Sequence, residues 1–373
     1  MSGPRLAAGG QSRVPDWVDQ LLRRAAEEVR LLPALTPIRA DRERERLTAD
    51  LRRGKSSLPR WTYAPVSHDE LRRALDRAEV SLARSGEPQH EPYRARMHEL
   101  SIEAALSSAA GTGDVARLAR QRFAPANLAT AQAAADLCAA WLAEPEAPRS
   151  GSPRASDDPH PRSLLSQMRE TVGRLRLPFA VIVQHSLAPL AATGDGVILV
   201  AAGRLVDDQD ATRTVLHEVE GHALPRARSY AAPLALLRVG TAGGIDDQEG
   251  RALLLEERAG MLGPCRRRQL AARHRAVEAM LDGASFADVA MSLVRQHGLD
   301  AADAVLVAER AFRGGDGAGP GLGRERVYLE GFVRVSAHLA AHPEDEAVMA
   351  SGQVAVDAIA AVRELVKNEA KGE

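Results

Sequence analysis

The run His217-Glu218-Val219-Glu220-Gly221-His222 brackets a glutamate between two histidines, and its reading decides the fold. Each residue type has its own chemical task. Neutral imidazoles are good ligands for Zn²⁺, and a catalytic zinc keeps three protein ligands and an open fourth position for water. The metal lowers the pKa of that water towards neutrality, and a nearby carboxylate takes the proton as the oxygen attacks a polarised carbonyl. Glu218, beside the first histidine, is the candidate base, with His217 and His222 as metal ligands.

The spacing constrains the backbone. Zinc histidines four residues apart share one helix face. Here they are five apart, about 140° round a helix of 3.6 residues per turn. A π-bulge inserts one residue into a turn, occurs mostly at functional sites, and returns both imidazoles to the same side. Gly221, a poor helix former, stands where such a bulge is expected.

A third ligand belongs tens of residues further on. The turn-forming stretch Gly243-Gly244-Ile245-Asp246-Asp247 leads into Gln248-Glu249-Gly250-Arg251-Ala252, which opens a helical pattern through Leu253, Leu254 and Leu255. Glu249 is the expected third ligand. Glu256 and Glu257 are rivals, but they fall two turns later, where the arginine-rich surroundings suit a solvated helix face.

An HExxxH helix followed by a QEGLA-like element resembles the tyrosine carboxypeptidase family. That family includes the microtubule-associated tyrosine carboxypeptidases and bacterial proteins labelled as flavohemoglobin expression-modulating QEGLA-motif proteins. This chain reads HEVEGH and QEGRA. A third block also matches: Phe312-Arg313-Gly314-Gly315, a glycine loop, then Val327-Tyr328-Leu329-Glu330-Gly331, where the family has RGG leading into TKDxxYLxG. The match covers about residues 15 to 366. Two stretches depart from it. Gly323-Arg324-Glu325 replaces Thr-Lys-Asp, and the Asn-Gly after the second histidine gives way to residues around Arg228-Ser229-Tyr230. Both departures spare the ligands and fall on the substrate pocket. Dipeptidyl-peptidase III enzymes share the inserted glycine, reading HELxGH, but lack the RGG and YLxG blocks.

The resemblance implies a zinc metallopeptidase holding one Zn²⁺ and removing a C-terminal residue, aromatic by family preference, from a peptide or protein tail. Tyr328, in the matched block, is then the candidate donor to the oxyanion; a buried core tyrosine is the alternative. A carboxypeptidase also recognises a free α-carboxylate, which suits the planar fork of arginine. Arg313 and Arg324 flank the glycine loop and are the candidates, solvated surface arginines being the alternative. The loop itself reads as a lid or as a surface connection. Competing readings are a zinc fold kept as a non-catalytic regulatory or binding module, and a zinc aminopeptidase or endopeptidase. Retention of Glu218 favours an enzyme, since a structural zinc site is closed and needs no base. A free-amine pocket needs acids near the cleft, and Glu220 is the obvious local one.

Composition agrees with a globular enzyme. Of 373 residues 45% are hydrophobic and 27% charged, and a net charge of −1 gives no field to recruit nucleic acid or an anionic membrane. No apolar run approaches the ~20 residues of a membrane span, and Met1 to Arg13 lacks a signal-peptide layout, so a cytoplasmic protein is expected. Cys138 and Cys265 form no disulfide framework. His185, His274, His297, His338 and His342 lie outside any ligand spacing and read as structural.

The expected fold class is α+β, predominantly helical and zincin-like, with a small sheet beside the HExxxH helix. Residues 1–14 read as disordered, 15–143 as a helical N-terminal region, 144–163 as a proline-rich linker or insertion, and 164–373 as the catalytic domain. Asp16, Ser67 with Glu70, Asp208 or Asp210, Ser285 and Asp300 are expected helix caps. Phe179–Gln184 and Gly196–Ala201 read as strands, with Val197–Val200 either an edge that pairs an extended substrate or a buried core strand. Trp61 and Tyr63, in the extended stretch Pro59–Pro65, either anchor it to the catalytic part or pack locally.

Overall fold

A computed structural model describes residues 14–145, 152–185, 187–232 and 234–372. The expectation of disorder at 1–14 falls, Val14 apart, outside these. Helices dominate and the sheets are small, giving an α+β architecture that is mostly helical.

The N-terminal helices bury one stripe each. Asp16–Glu28 buries Val18, Leu22 and Ala25, and Asp69–Ser85 buries Leu71, Leu75, Ala78 and Leu82, the spacings of a single helix face. These stripes merge with Leu253, Leu329, Phe332, Val335 and Val362 from the other end of the chain into one apolar cluster. A second cluster gathers Leu47, Val277, Phe286, Val305 and Phe312. A third seals the sheet against the histidine segment through Met168, Ile198, Val200, Val215 and Val219.

Among the described residues five short strands form two sheets. β1 (Arg154–Ala155) pairs antiparallel with β5 (Leu205–Val206). In the other sheet the order is β2 (Ala180–Gln184), β4 (Val197–Ala201), β3 (Ala191–Thr193). β2 runs parallel to β4 from Ala180↔Val197 to Gln184↔Ala201, and β3 antiparallel to β4 from Ala191↔Val200 to Thr193↔Ile198. Val197–Val200 is thus the central core strand, with Ile198 and Val200 fully buried, and the edge reading is corrected. The reason lies in the connection: it folds back as β3 before a turn closed by the Gly194 amide on the Val197 carbonyl.

Caps were legible in part. Ser285 forms a capping box with Asp288, and Asp300 accepts from the Ala302 and Asp303 amides. Asp207, not Asp208 or Asp210, caps the helix Asp208–Val215 by accepting from the Asp210 amide at 2.7 Å. Asp16 is the first helical residue, preceded by Pro15, so it sits in the first turn and does not cap. Ser67 donates to the Asp69 carboxylate at 3.2 Å, and its helix starts at Asp69, one residue too late for a box with Glu70.

The stretch Pro59–Pro65 anchors to the far half of the chain. The Tyr63 hydroxyl donates to the Gly315 carbonyl at 2.7 Å, and Trp61 meets Phe286 edge-on at 5.5 Å. The glycine loop it touches is tied down on other sides too: the Gly111 amide bonds the Gly314 carbonyl, and the Leu322 and Gly323 amides bond Arg313 and Ala311 carbonyls. A loop held at so many points is packed structure and not the swinging lid considered from sequence. Among the described residues no helix is long and apolar enough to cross a membrane. Cys138 and Cys265 are both free.

Candidate active site

The helix Asp208–Val215 continues into a π-helical segment, Leu216–Ala223, and then into Leu224–Tyr230. The wider turn brings His217 and His222 together as the five-residue spacing requires. Two close approaches then fix the neighbouring elements. A Cβ on Gly221 would stand 2.6 Å from the Ala252 Cβ, so only glycine lets the π segment lie this close to the helix Gly244–Arg258. A Cβ on Gly250 would stand 2.1 Å from the Gly331 carbonyl carbon, seating the same helix on Val327–Ala341. The small residues of HEVEGH, QEGRA and YLEG are therefore the contacts that stack the three blocks on one another.

This stacking assembles the tripod. His217 Nε2 and His222 Nε2 are 3.2 Å apart, and Glu249 Oε2 lies 3.4 Å from the first and 3.5 Å from the second. Ligands bonded at 2.0–2.1 Å to a tetrahedral zinc are about 3.3–3.4 Å apart, so the three spacings fit the ion. Glu256 Oε1 is 2.8 Å from His217 Nδ1; Gln248 Oε1 is 3.0 Å from His222 Nδ1 and also accepts from Gln353 Nε2 at 3.1 Å. With both Nδ1 atoms donating, both Nε2 atoms carry lone pairs aimed at the same point as Glu249 Oε2, which has no hydrogen-bond donor among the described residues. The buried group can hold a metal ion.

The electrostatics agree. Burial alone would raise the Glu249 carboxyl, but His222, His217 and Arg324 outweigh it and hold it well below the usual carboxylate range. Burial likewise opposes ionisation of Glu256, and Arg266, His217 and Arg213 reverse this. His217 is pushed up to about 9, burial being overcome by the Glu249, Glu256 and Glu218 carboxylates around it.

Glu256 corrects an expectation. It is fully buried, not on a solvated face, because the arginines beside it are its partners: Arg266 grips both oxygens at 3.1 Å, and Arg213 lies 3.6 Å away. It orients His217 and makes that imidazole more basic, as carboxylates behind metal-bound histidines do. Glu257, the other rival, is exposed. Glu218 is buried next to His217, and the Thr193 hydroxyl at the end of β3 donates to its Oε2 at 2.8 Å. Sequence reasoning missed Gln248, Glu256 and Thr193. Gln248 had a signal, since it adjoins the ligand inside a recognised motif. Thr193 had none, sitting in a three-residue strand too short for periodicity to reveal.

The remaining site candidates lie in an arginine-rich shell on the Glu249 side. Arg324 Nη2 reaches Glu249 Oε1 at 3.1 Å, so one of its donors is committed to the ligand itself. Tyr328 is buried, with the Arg324 and Arg273 guanidiniums 6.0 and 5.6 Å from its ring and Arg310 Nη2 3.5 Å from its hydroxyl. Burial and the nearby Glu249 and Glu325 carboxylates raise the phenol. Arg313 sits where the glycine loop leaves the helix Ala301–Phe312, under the charges of Arg310, Glu325, Glu309 and Arg324. His338 pairs with Asp345 at 2.7 Å, away from any such cluster.

The helical scaffold thus presents a His-His-Glu group that could hold a metal ion, with the Glu218 carboxylate beside it. The chain belongs to the microtubule-associated tyrosine carboxypeptidase family, whose model matches residues 50–371. Membership marks it as a peptidase of the carboxypeptidase kind acting on a protein or peptide. No curated protein matches the chain.

Proposed function

We propose that this protein is a zinc-dependent carboxypeptidase with a zincin-like catalytic part over residues 164–373, which removes the C-terminal residue of a peptide or protein tail by Glu218-assisted hydrolysis. The observation that carries it is the tripod, whose three acceptor atoms stand 3.2–3.5 Å apart with Glu218 alongside. His217, His222 and Glu249 would hold the ion, which when bound polarises a carbonyl and acidifies water.

The chain's own residues do the rest. Glu218, held by Thr193, accepts the proton of the attacking water and returns it to the departing amine. Tyr328 donates to the oxygen on which charge develops. Arg313 and Arg324, the candidates from sequence, belong to an arginine-rich shell that favours the anionic end of the substrate. β3 is a sheet edge that contacts the π segment, and an extended tail can lie along it by strand addition. A preponderance of arginine in the shell supports recognition of a carboxylate over a free amine, which sets the carboxypeptidase reading ahead of an aminopeptidase. The Thr193–Glu218 bond favours an enzyme over a non-catalytic zinc fold, since such a fold has no use for a positioned base. A cytoplasmic location completes the proposal.

The test is zinc content of wild type and Glu218→Gln, paired with mass-spectrometric scanning of a peptide library with varied C-termini, tyrosine and phenylalanine included. Both proteins should bind about one zinc, and only wild type should shorten peptides by one residue. Zinc bound without trimming by wild type would move the binding-module reading ahead.

A further inference from the structure

Two part-buried guanidiniums in the shell around Tyr328, Arg273 and Arg313, have no hydrogen-bonded carboxylate partner among the described residues. Arg266 is gripped by Glu256, Arg324 by Glu249, and Arg310 Nε lies 2.9 Å from Glu325 Oε2. Arg273, from the helix Pro264–Leu281, makes no side-chain hydrogen bond among the described residues, and its pairing with Glu325 Oε2 is at 3.9 Å, beyond hydrogen-bond reach. Arg313 likewise makes none, and its Nε is buried without a partner. Arg273, Arg310 and Arg313 thus all face the Glu325 carboxylate, and the other nearby acid, Glu309, is already bonded by Arg44 at 2.7 Å. The strain falls on Arg273, where burial and the Arg310 charge pull the guanidinium down to about 10. A buried charge is tolerated when paired and hydrogen-bonded, so this shell calls for an anion from outside.

We infer that Arg273 and Arg313 receive the C-terminal carboxylate of the substrate, while Arg324 is a positioning residue that holds Glu249. The assignment rests on the carboxypeptidase reading and relocates carboxylate recognition within it. Geometry supports the exchange. Arg324 already spends a donor on the metal-ligand carboxylate, and displacing it would free Glu249. Arg273 shares the Tyr328 ring with Arg324, its Cζ 5.6 Å from the ring centroid against 6.0 Å for Arg324. A terminal carboxylate lies about one residue, roughly 3.5 Å of chain, beyond the bond being cut, so its receptor must sit near the tripod but outside it. The Arg273 side chain keeps 18% exposure, enough for an anion to reach its fork.

The experiment uses zinc-loaded full-length protein and two synthetic peptides ending in tyrosine, one with a free carboxylate and one amidated. Wild type should strongly prefer the free acid. Arg273→Gln should raise KM for the free acid about 10- to 100-fold, the worth of a charged hydrogen bond, with kcat within a few-fold and zinc content unchanged. Arg273→Lys should fall between, since it restores charge without the fork; it also decides the matter if the glutamine variant fails to fold. Arg324→Met should instead lose zinc. An Arg273→Gln enzyme with unchanged KM, or one whose loss tracks loss of zinc, overturns the assignment and leaves the carboxypeptidase reading standing. A wild type that cleaves neither peptide, or both equally, overturns that reading and the assignment with it.

Discussion

Replacing Gly221 by alanine tests whether the close approach of two motifs builds the metal site. The added Cβ lands 2.6 Å from the Ala252 Cβ and 3.3 Å from its Cα, whereas apolar carbons rest about 3.5–4.0 Å apart. The π segment and the Glu249 helix must therefore separate by about 1 Å. Overpacking of this kind costs about 1–3 kcal/mol, and alanine's better helix propensity returns about 0.5–1 kcal/mol of it. The expected net loss is about 1 kcal/mol of stability. The larger effect is on the tripod. Moving Glu249 Oε2 away from imidazole nitrogens now 3.4 and 3.5 Å distant takes it out of reach of a tetrahedral ion, and zinc affinity should fall about 10- to 100-fold. Chelator competition measures the affinity and denaturant titration the stability. Ala252→Gly in the same chain removes the offending methyl and should restore zinc binding, while adding about 1 kcal/mol of helix cost. Wild-type zinc affinity in Gly221→Ala, or a double variant that binds no better than the single one, would refute the reasoning.

Glu256→Gln removes the charge behind His217 and leaves Arg266 and Arg213 without a full counter-ion; zinc affinity should drop about 10- to 100-fold and stability by about 3–5 kcal/mol, read by chelator competition and urea unfolding. Thr193→Ala should lower kcat about 10-fold with KM and zinc content unchanged, because only the orientation of Glu218 is lost; a KM effect at constant kcat would count against it. For the metal-free protein, His217 rises from an ordinary 6.5 to about 9, so its contribution is complete below pH 6.5 and is lost as pH rises through 9. The loss is on the order of 3 kcal/mol, measurable as a falling denaturation midpoint over that window. Zinc uptake near neutral pH should release a proton, seen as a buffer-dependent heat in calorimetry.

The gathering of His217, His222 and Glu249 was legible because each carries its own signal: two histidines at a spacing that only a π turn reconciles, and a glutamate opening a helix after a glycine turn. What stood behind them was not. Glu256 looked solvated because arginines follow it in sequence, and the same arginines prove to be what allows its burial. Arg273 is one of many arginines on Pro264–Leu281, and nothing in its spacing separates it from Arg267, which pairs with Glu144 on the outer side. Strand order escaped for a different reason. A five-residue apolar run has the same pattern at an edge as in the centre, and the three-residue β3 that decides the matter is too short to announce itself. Helix starts slipped by a residue wherever several acids or hydroxyls competed for the cap, as at Asp207, Asp208 and Asp210.

The helix Asp16–Glu28 packs against Ala235–Val239, and this bears on how the chain comes to exist in a cell. Synthesis proceeds at about 5–20 residues per second, so the helix is made roughly 10 to 40 s before the segment it packs on. Throughout that interval its Val18, Leu22 and Ala25 stripe lacks this partner and is open to neighbouring nascent chains. The pace of translation between the two segments thus sets how early this part of the core can close.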